Sequence, residues 1–312
     1  MSSFELKRFE SHAKIMISGE YLVLKGALSL SIPLRFGQKL IIAENDEIPS
    51  VIWKSMTNND LWFSMTLLIP DFKITHTNRP DLCDTLLKIL AGAKRLNPKF
   101  LDPLCEYRVT SLMDFLPQWG FGSSSSLISN IAYWADCDPF ELNTQIFNGS
   151  GYDIACARST SAIIYNLIDD HPRYRPARFN PSFHKQLHFV YLNQKQNSMQ
   201  SIFRSDLSNI SKKNITDINS LTLDIERAAD LETFQSQIDQ HEELIGNIIN
   251  QKRVKAQFFN DFNGSVKSLG AWGGDFILAA SSESNDYVFK YFNNKNLNTI
   301  FHYNEIVNSG NN

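Results

Sequence analysis

The chain has 312 residues, 43% of them hydrophobic, and a net charge of -3 from 30 Lys and Arg against 33 Asp and Glu. Such apolar content with so little net charge excludes a disordered chain, and the missing basic excess speaks against a nucleic-acid partner. Four cysteines without a CxxC pair make neither a disulfide framework nor a zinc site. With no apolar leader and no membrane-length run, a soluble cytoplasmic protein with free thiols is expected.

In chain order, His12 to Tyr21 (HAKIMISGEY) places Lys14 and Glu20 on either side of a short apolar strand. Ala27 to Leu34, Leu40 to Ala43 and Trp62 to Ile69 are aliphatic and bounded by Gly, Pro or polar residues, the pattern of strands. Pro80 to Leu96 has Leu82, Leu86, Leu87, Ile89, Leu90 and Ala93 at helical spacing, with Pro80 suited to the first helical position. Tyr107 to Met113 reads as a strand, and a Gly/Ser turn then leads into the helical pattern LISNIAYWA. After a strand at Ala162 to Leu167, the stretch Asp169 to Pro181 is rich in Pro and charge and reads as the connection between halves. Leu187 to Leu192 opens the second half as a strand. Ser205 to Phe259 is mostly helical, with Phe234, Ile238, His241, Leu244, Ile245, Ile248 and Ile249 on one face, where His241 reads as a packed residue. Phe276 to Ala280 and the aromatic tail to Tyr303 read as strands. Strands and helices come in uneven groups, which predicts an α+β fold.

Three glycine-rich segments could carry chemistry. Gly120-Phe121-Gly122-Ser123-Ser124-Ser125-Ser126 opens a helix, either as a phosphate cradle built from backbone N–H groups or as an ordinary Ser-capped turn. It lacks the GK[ST] ending of a Walker A loop and is not a nucleophile elbow. Asn148-Gly149-Ser150-Gly151-Tyr152-Asp153 sets a carboxylate in an apolar run, as a helix cap or as a functional group. Lys267 to Phe276 (KSLGAWGGDF) is either a tight bend before a strand or a loop walling a ligand.

Taken together and in this order, these segments resemble the GHMP small-molecule kinases. SHAKIMISGEYLVLKGALSLSIPL is similar to the family's first motif, PQWGFGSSSSLISNIA to its Gly/Ser phosphate loop, and VKSLGAWGGDFILA to its third motif. GSGYDIA resembles the segment that supplies the catalytic Asp in the mevalonate kinase branch, and more closely the GYDIA subgroup. The resemblance spans residues 14 to 278.

The resemblance implies a two-domain α+β kinase fold: a ribosomal-protein-S5-like α/β domain over residues 1–175 and a ferredoxin-like α+β domain over 176–312. ATP and the acceptor would lie between them. It gives Gly120, Gly122, Ser123, Ser124 and Ser125 to ATP, and Ser124 and Glu141 to Mg2+. It makes Asp153 the group that takes or orients the acceptor's proton and Lys14 the cation on the transferred phosphoryl group. It gives Glu20, Ser150, Gly151, Tyr152, Gly270 and Ala271 to the acceptor, and His12, where the chain departs from the family, either faces the acceptor or fills space.

The chain departs from the family in two places. His12-Ala13 replaces the usual Pro-Gly, and Trp272 stands where Gly is usual, with bulk that would narrow the site or shift the loop. The GGD and GSGYD strings favour a phosphomevalonate acceptor over mevalonate. Such an acceptor needs further cations, for which Arg158, Lys195 and Arg204 are available, although each reads as a solvated surface charge. A decarboxylase of the same superfamily and a non-catalytic nucleotide binder are the competing functions. No membrane or nucleic-acid partner is expected, and a homodimer is compatible.

Overall fold

The computed structural model describes residues 6–45, 48–69, 71–194, 210–270, 272 and 274–308. The chain divides into two compact units that interleave in sequence: Met1–Ala13, Phe36–Leu116 and Gly122–Arg158 form the first, and Lys14–Arg35, Pro117–Phe121 and Ser159–Asn312 the second.

In the first unit, β1 (Lys7–Ser18) pairs with β2 (Ser29–Asn45), both strands also supplying residues to the second unit. β3 (Ser50–Thr57) and β4 (Asp60–Leu68) form a hairpin turned by Asn58 and Asn59, both left-handed at φ 50° and 70°. This double positive φ is what a type I′ turn requires, and Asn tolerates it. β5 (Lys73–Thr77) follows, then α1 (Pro80–Leu96), which starts at Pro80 as the sequence predicts and buries Cys83, Leu86, Ile89, Leu90 and Ala93. β6 (Glu106–Met113) runs antiparallel to β2 and parallel to β3, giving the order β5-β4-β3-β6-β2. α2 (Ser123–Ala135), α3 (Pro139–Phe147) and α4 (Tyr152–Ala157) complete the unit. Trp53 and Met65 from the sheet, Ile89 from α1, and Ile128 and Ile131 from α2 share one core with Ile154 of α4.

In the second unit, Ser29–Ser31 of β2 pairs with β7 (Ile163–Ile168), and β7 with β8 (His171–Pro176). The sequence reading of 169–181 as an aperiodic connection is thus corrected. Asp169 and Asp170, at φ 50° and 61°, form another two-residue hairpin turn. The prolines fall at positions 172 and 176 of an exposed edge strand, where a missing donor is tolerated. Arg175 of that strand grips the buried Glu226 with two bonds of 2.7 and 2.9 Å, and the pair holds the Glu226 carboxyl below its usual range.

β9 (Leu187–Tyr191) is followed by α5 (Lys212–Arg227), α6 (Leu231–Ile249) and α7 (Val254–Phe258). Next come β10 (Ser265–Ser268), β11 (Phe276–Ala280), α8 (Asn285–Asn293), β12 (Ile300–His302) and α9 (Tyr303–Ile306). The strands form an antiparallel sheet ordered β10-β11-β9-β12. The aromatic tail departs from the strand expectation: Ser284 caps α8 through Tyr287 N–H, and Val288 and Phe292, four apart, face the core. Among the described residues the four cysteines are free, and no helix is long and apolar enough to cross a membrane.

Candidate functional site

In the first unit, the glycine before α2 has a conformational reason. Gly122 caps the helix at φ 86° and ψ 41°, a left-handed conformation open to glycine at no steric cost, and no side chain caps α2. The first backbone bond into the helix runs from Ser126 N–H to Gly122 O at 3.0 Å. The N–H groups of Ser123, Ser124 and Ser125 are therefore without a backbone acceptor among the described residues. Three aligned donors with the helix dipole behind them make an anion site. The serines divide the work. Buried Ser125 donates to Gly122 O at 2.9 Å and buried Ser126 to Gln38 Oε1 at 2.8 Å, bracing the turn, while Ser123 is half-buried and Ser124 exposed. The Ser-capped alternative is excluded, because the cap is a glycine.

Asp153 sits in the first turn of α4, whose N-cap is Gly151 at φ 81°, so the carboxylate is not the helix cap. It is half-buried, and its Oδ1 accepts from Ile154 N–H at 3.1 Å. Ser150 and Gly151 are buried before it, and Tyr152 is half-buried. Glu141 lies exposed in the first turn of α3, beyond the N-cap Asp138. No group of three His, Cys, Asp or Glu residues able to hold a metal occurs among the described residues. Mg2+ ordinarily takes one or two protein oxygens and completes its shell with phosphates and water. The exposed hydroxyl of Ser124 and carboxylate of Glu141 are hard oxygen donors of that kind. His12 is half-buried on β1.

The second unit holds Lys14, Glu20, Gly120 and Gly270. Half-buried Lys14 donates its backbone N–H to Phe121 O at 2.9 Å. Phe121 stacks on Phe276 of β11 with centroids 4.6 Å apart. A Cβ on Gly120 would lie 2.4 Å from Asp275 Oδ2, so only glycine lets this carboxylate approach. Lys14, the start of the Gly/Ser loop (Gly120, Phe121) and the end of the Lys267–Phe276 segment (Asp275, Phe276) thus meet here. Gly270 is left-handed at φ 71°, with nothing within 4 Å of a Cβ among the described residues. Ala271, Gly273, Lys195 and Arg204 lie outside the described residues.

Glu20 is in the core. Its Oε1 accepts from Lys267 Nζ at 2.6 Å, and its Oε2 lies 3.3 Å from His241 Nε2. Gly19 N–H donates to that same His241 nitrogen at 3.1 Å. Glu242 accepts from Ser268 N–H at 3.1 Å and stands 3.7 Å from Lys267 Nζ. Burial pushes the Glu20 carboxyl up against the pull of Lys267, raises Glu242 to about 7, and holds His241 well below its ordinary value. His241 is packed, as predicted. Glu242 and Lys267 were not singled out, although Glu242 follows Ile238 by four residues and precedes Ile245 by three, on the apolar stripe itself.

The bulk of Trp272 is buried. Its backbone N–H donates to Tyr21 OH at 3.0 Å, and its ring packs in the core beside Tyr21, Ile245 and Ile249. A Cβ on Gly246 would lie 2.8 Å from Gln251 O and 3.3 Å from the indole, which explains that helix glycine. Tyr21 itself is strained, at φ 63° and ψ -47°.

The fold is the mixed α+β fold of the GHMP kinases. L. major mevalonate kinase in complex with R-mevalonate matches over 98% of this chain and 97% of that one, with TM-score 0.69 at 15% identity. Streptococcus pneumoniae phosphomevalonate kinase in complex with phosphomevalonate and AMPPNP matches over 95% and 99%, with TM-score 0.69 at 15% identity. A Campylobacter jejuni protein provisionally described as a sugar kinase matches over 99% and 98%, with TM-score 0.64 at 12% identity. No protein-family model matches the chain, and no curated protein matches its sequence.

Proposed function

We propose that this chain is an ATP-dependent small-molecule kinase that transfers a γ-phosphoryl group to a mevalonate-pathway alcohol or phosphate, with phosphomevalonate as the preferred acceptor. The observation that carries this reading is the open N-terminus of α2, where three backbone donors lie under a left-handed glycine with no side-chain cap. It suits the phosphates of a nucleotide. Ser124 and Glu141 would hold Mg2+, which offsets the charge of those phosphates when bound. Asp153 takes or orients the acceptor proton, and Lys14 supplies positive charge to the transferred group. Phosphoryl transfer is mostly positioning and electrostatics, so this set suffices in kind.

The acceptor rests on narrower ground. The solved neighbours of this fold include complexes with R-mevalonate and with phosphomevalonate. The Gly274-Asp275 and Gly151-Tyr152-Asp153 strings favour the second. Mevalonate is the alternative acceptor.

The test is ADP release with Mg·ATP against mevalonate, phosphomevalonate, diphosphomevalonate, homoserine and sugars, with CO2 measured alongside. Turnover of phosphomevalonate without CO2 is expected. Asp153→Asn should keep ATP affinity and lose roughly 10²–10⁴ in kcat, the usual range for lost proton-transfer help. Silence across the panel, or an unimpaired Asp153→Asn, overturns the reading.

A further inference from the structure

One face of α2 is polar and yet buried. Ser126, Ser129, Asn130 and Tyr133 recur at i, i+3, i+4 and i+7, so they form a single stripe. The first three are fully buried and all are bonded. Ser126 Oγ donates to Gln38 Oε1 at 2.8 Å, Asn130 Nδ2 to Gln38 O at 2.7 Å, and Gln38 Nε2 to Ser111 Oγ at 2.7 Å. Ser11 Oγ lies 2.8 Å from both Ser129 Oγ and Asn130 Oδ1. The seam binds α2 to β1, β2 and β6 of its own unit.

Its far end is Arg158. This residue is the C-cap of α4, five positions after Asp153. Its Nε donates to Ser129 Oγ at 3.3 Å, and its guanidinium carbon lies 3.5 Å from the centre of the Tyr133 ring. Phe9 of β1 also stacks on that ring, at 9° with centroids 6.5 Å apart. Arg158 is therefore not the solvated surface charge that the sequence suggested. A planar guanidinium can stack on a ring and donate in its own plane at once, which a lysine ammonium cannot do.

α4 needs such an anchor. It has six residues, of which Ala155, Cys156 and Ala157 are small, and Ile154 brings a bulky side chain to the core. Small side chains pack without fixing register.

We propose that Arg158 is a positioning residue, fixing α4 and the Asp153 on it against α2 and the donors at its N-terminus through Ser129 and Tyr133. The role deepens the kinase reading above and rests on it. Phosphoryl transfer is sensitive to such placement, because a misplacement of about 1 Å can cost on the order of 10²-fold in rate.

The experiment uses the full-length chain with Arg158→Ala, Arg158→Lys, Tyr133→Leu and Tyr133→Phe. It measures kcat, the KM for ATP, and amide hydrogen exchange over residues 123–135 and 152–157. Arg158→Ala should lower kcat by roughly 10- to 100-fold with the ATP KM within about twofold. Exchange should rise at 152–157 and stay unchanged in α5. Guanidinium ion at millimolar levels should restore part of the kcat, which a loss of fold could not allow. Arg158→Lys should remain impaired, Tyr133→Leu should follow Arg158→Ala, and Tyr133→Phe, which keeps the ring, should match the wild type. Unchanged kcat and unchanged exchange in Arg158→Ala overturn the proposal. So does a wild-type kcat in Tyr133→Leu if Arg158→Ala fails to fold. If the wild type turns over no acceptor and exchange still rises at 152–157 alone, the anchoring stands and the kinase reading falls.

Discussion

Each unit buries a polar network, and the two are built on opposite principles. The first unit's network of Ser11, Gln38, Ser111, Ser126, Ser129 and Asn130 is neutral, and none of its side-chain atoms is left without a partner. The second unit's network of Glu20, His241, Glu242 and Lys267 is ionisable throughout, and Glu20 Oε2 and His241 Nδ1 are buried without a hydrogen-bond partner. A satisfied neutral network fixes register at a cost that pH does not touch. A buried ionic one has two carboxylates for one lysine, and His241 stays neutral where Gly19 N–H donates to it, so its energy depends on where its protons are. The neutral network braces the helix with open donors. The ionic one ties Gly19-Glu20-Tyr21 to Lys267-Ser268 and, through Tyr21, to Trp272.

The largest effect should come from Lys267→Met. It leaves Glu20 and Glu242 buried without a cation, and uncompensated buried charge typically costs about 3–5 kcal/mol. Urea unfolding at pH 8 should show a loss of that size. The loss should shrink at pH 5, because carboxyls that hold a proton need no counter-charge. A variant as stable as the wild type at pH 8 would show that Lys267 balances nothing.

Next is the pH dependence itself. The Glu242 carboxyl moves from 4.5 up to about 7 on folding because it is buried. The folded state therefore holds a proton that the unfolded state releases between those values. The stabilisation is fully present below pH 4.5 and is lost as pH rises to 7, by about 3 kcal/mol at 1.36 kcal/mol per pH unit. Glu20, also raised, acts in the same direction. Glu242→Gln can still accept from Ser268 N–H and cannot ionise. Its stability should fall less steeply across that window than the wild type's, and it should be the more stable protein at pH 8. Parallel stability curves for the two proteins would remove Glu242 from the balance.

The sequence shows the two networks unequally, for a physical reason. The apolar faces of α1 and α6 repeat at helical spacing and were legible, as were the core strands β4, β6, β7, β9 and β11, whereas β2 read as two strands and is one, Ser29–Asn45. β8 was not, because Asp169-Asp170 is a hairpin turn spelled in the residues of a linker, and α8 was not, because Tyr and Phe favour strands until a Ser cap intervenes. The Gly/Ser turn that opens α2 was legible because its motif is local. Glu242 and Lys267 become partners through contacts between distant segments, and a lysine in Ser-Val-Lys-Ser looks like surface. Arg158 was misread for the same cause, since its ring partner lies 25 residues upstream on another helix.

The smallest effect sharpens the contrast from the neutral side. Ser11 has one hydroxyl proton and lies 2.8 Å from two acceptors, Ser129 Oγ and Asn130 Oδ1. Donation to Asn130 satisfies it, and Ser129 can then donate to Ser11. Ser129→Ala removes that bond and the acceptor for Arg158 Nε, but Ser11 keeps Asn130, so no buried donor is orphaned there. The expected loss is about 2 kcal/mol, for one neutral hydrogen bond and one long bond from a half-buried charged donor, with the same value at pH 5 and pH 8 because neither partner titrates there. Arg158 retains its stacking on Tyr133, so kcat should fall less than in Arg158→Ala. A loss well above that value, or one that changes with pH, would mean that the seam is coupled to a titrating group and that the two networks are not opposites after all.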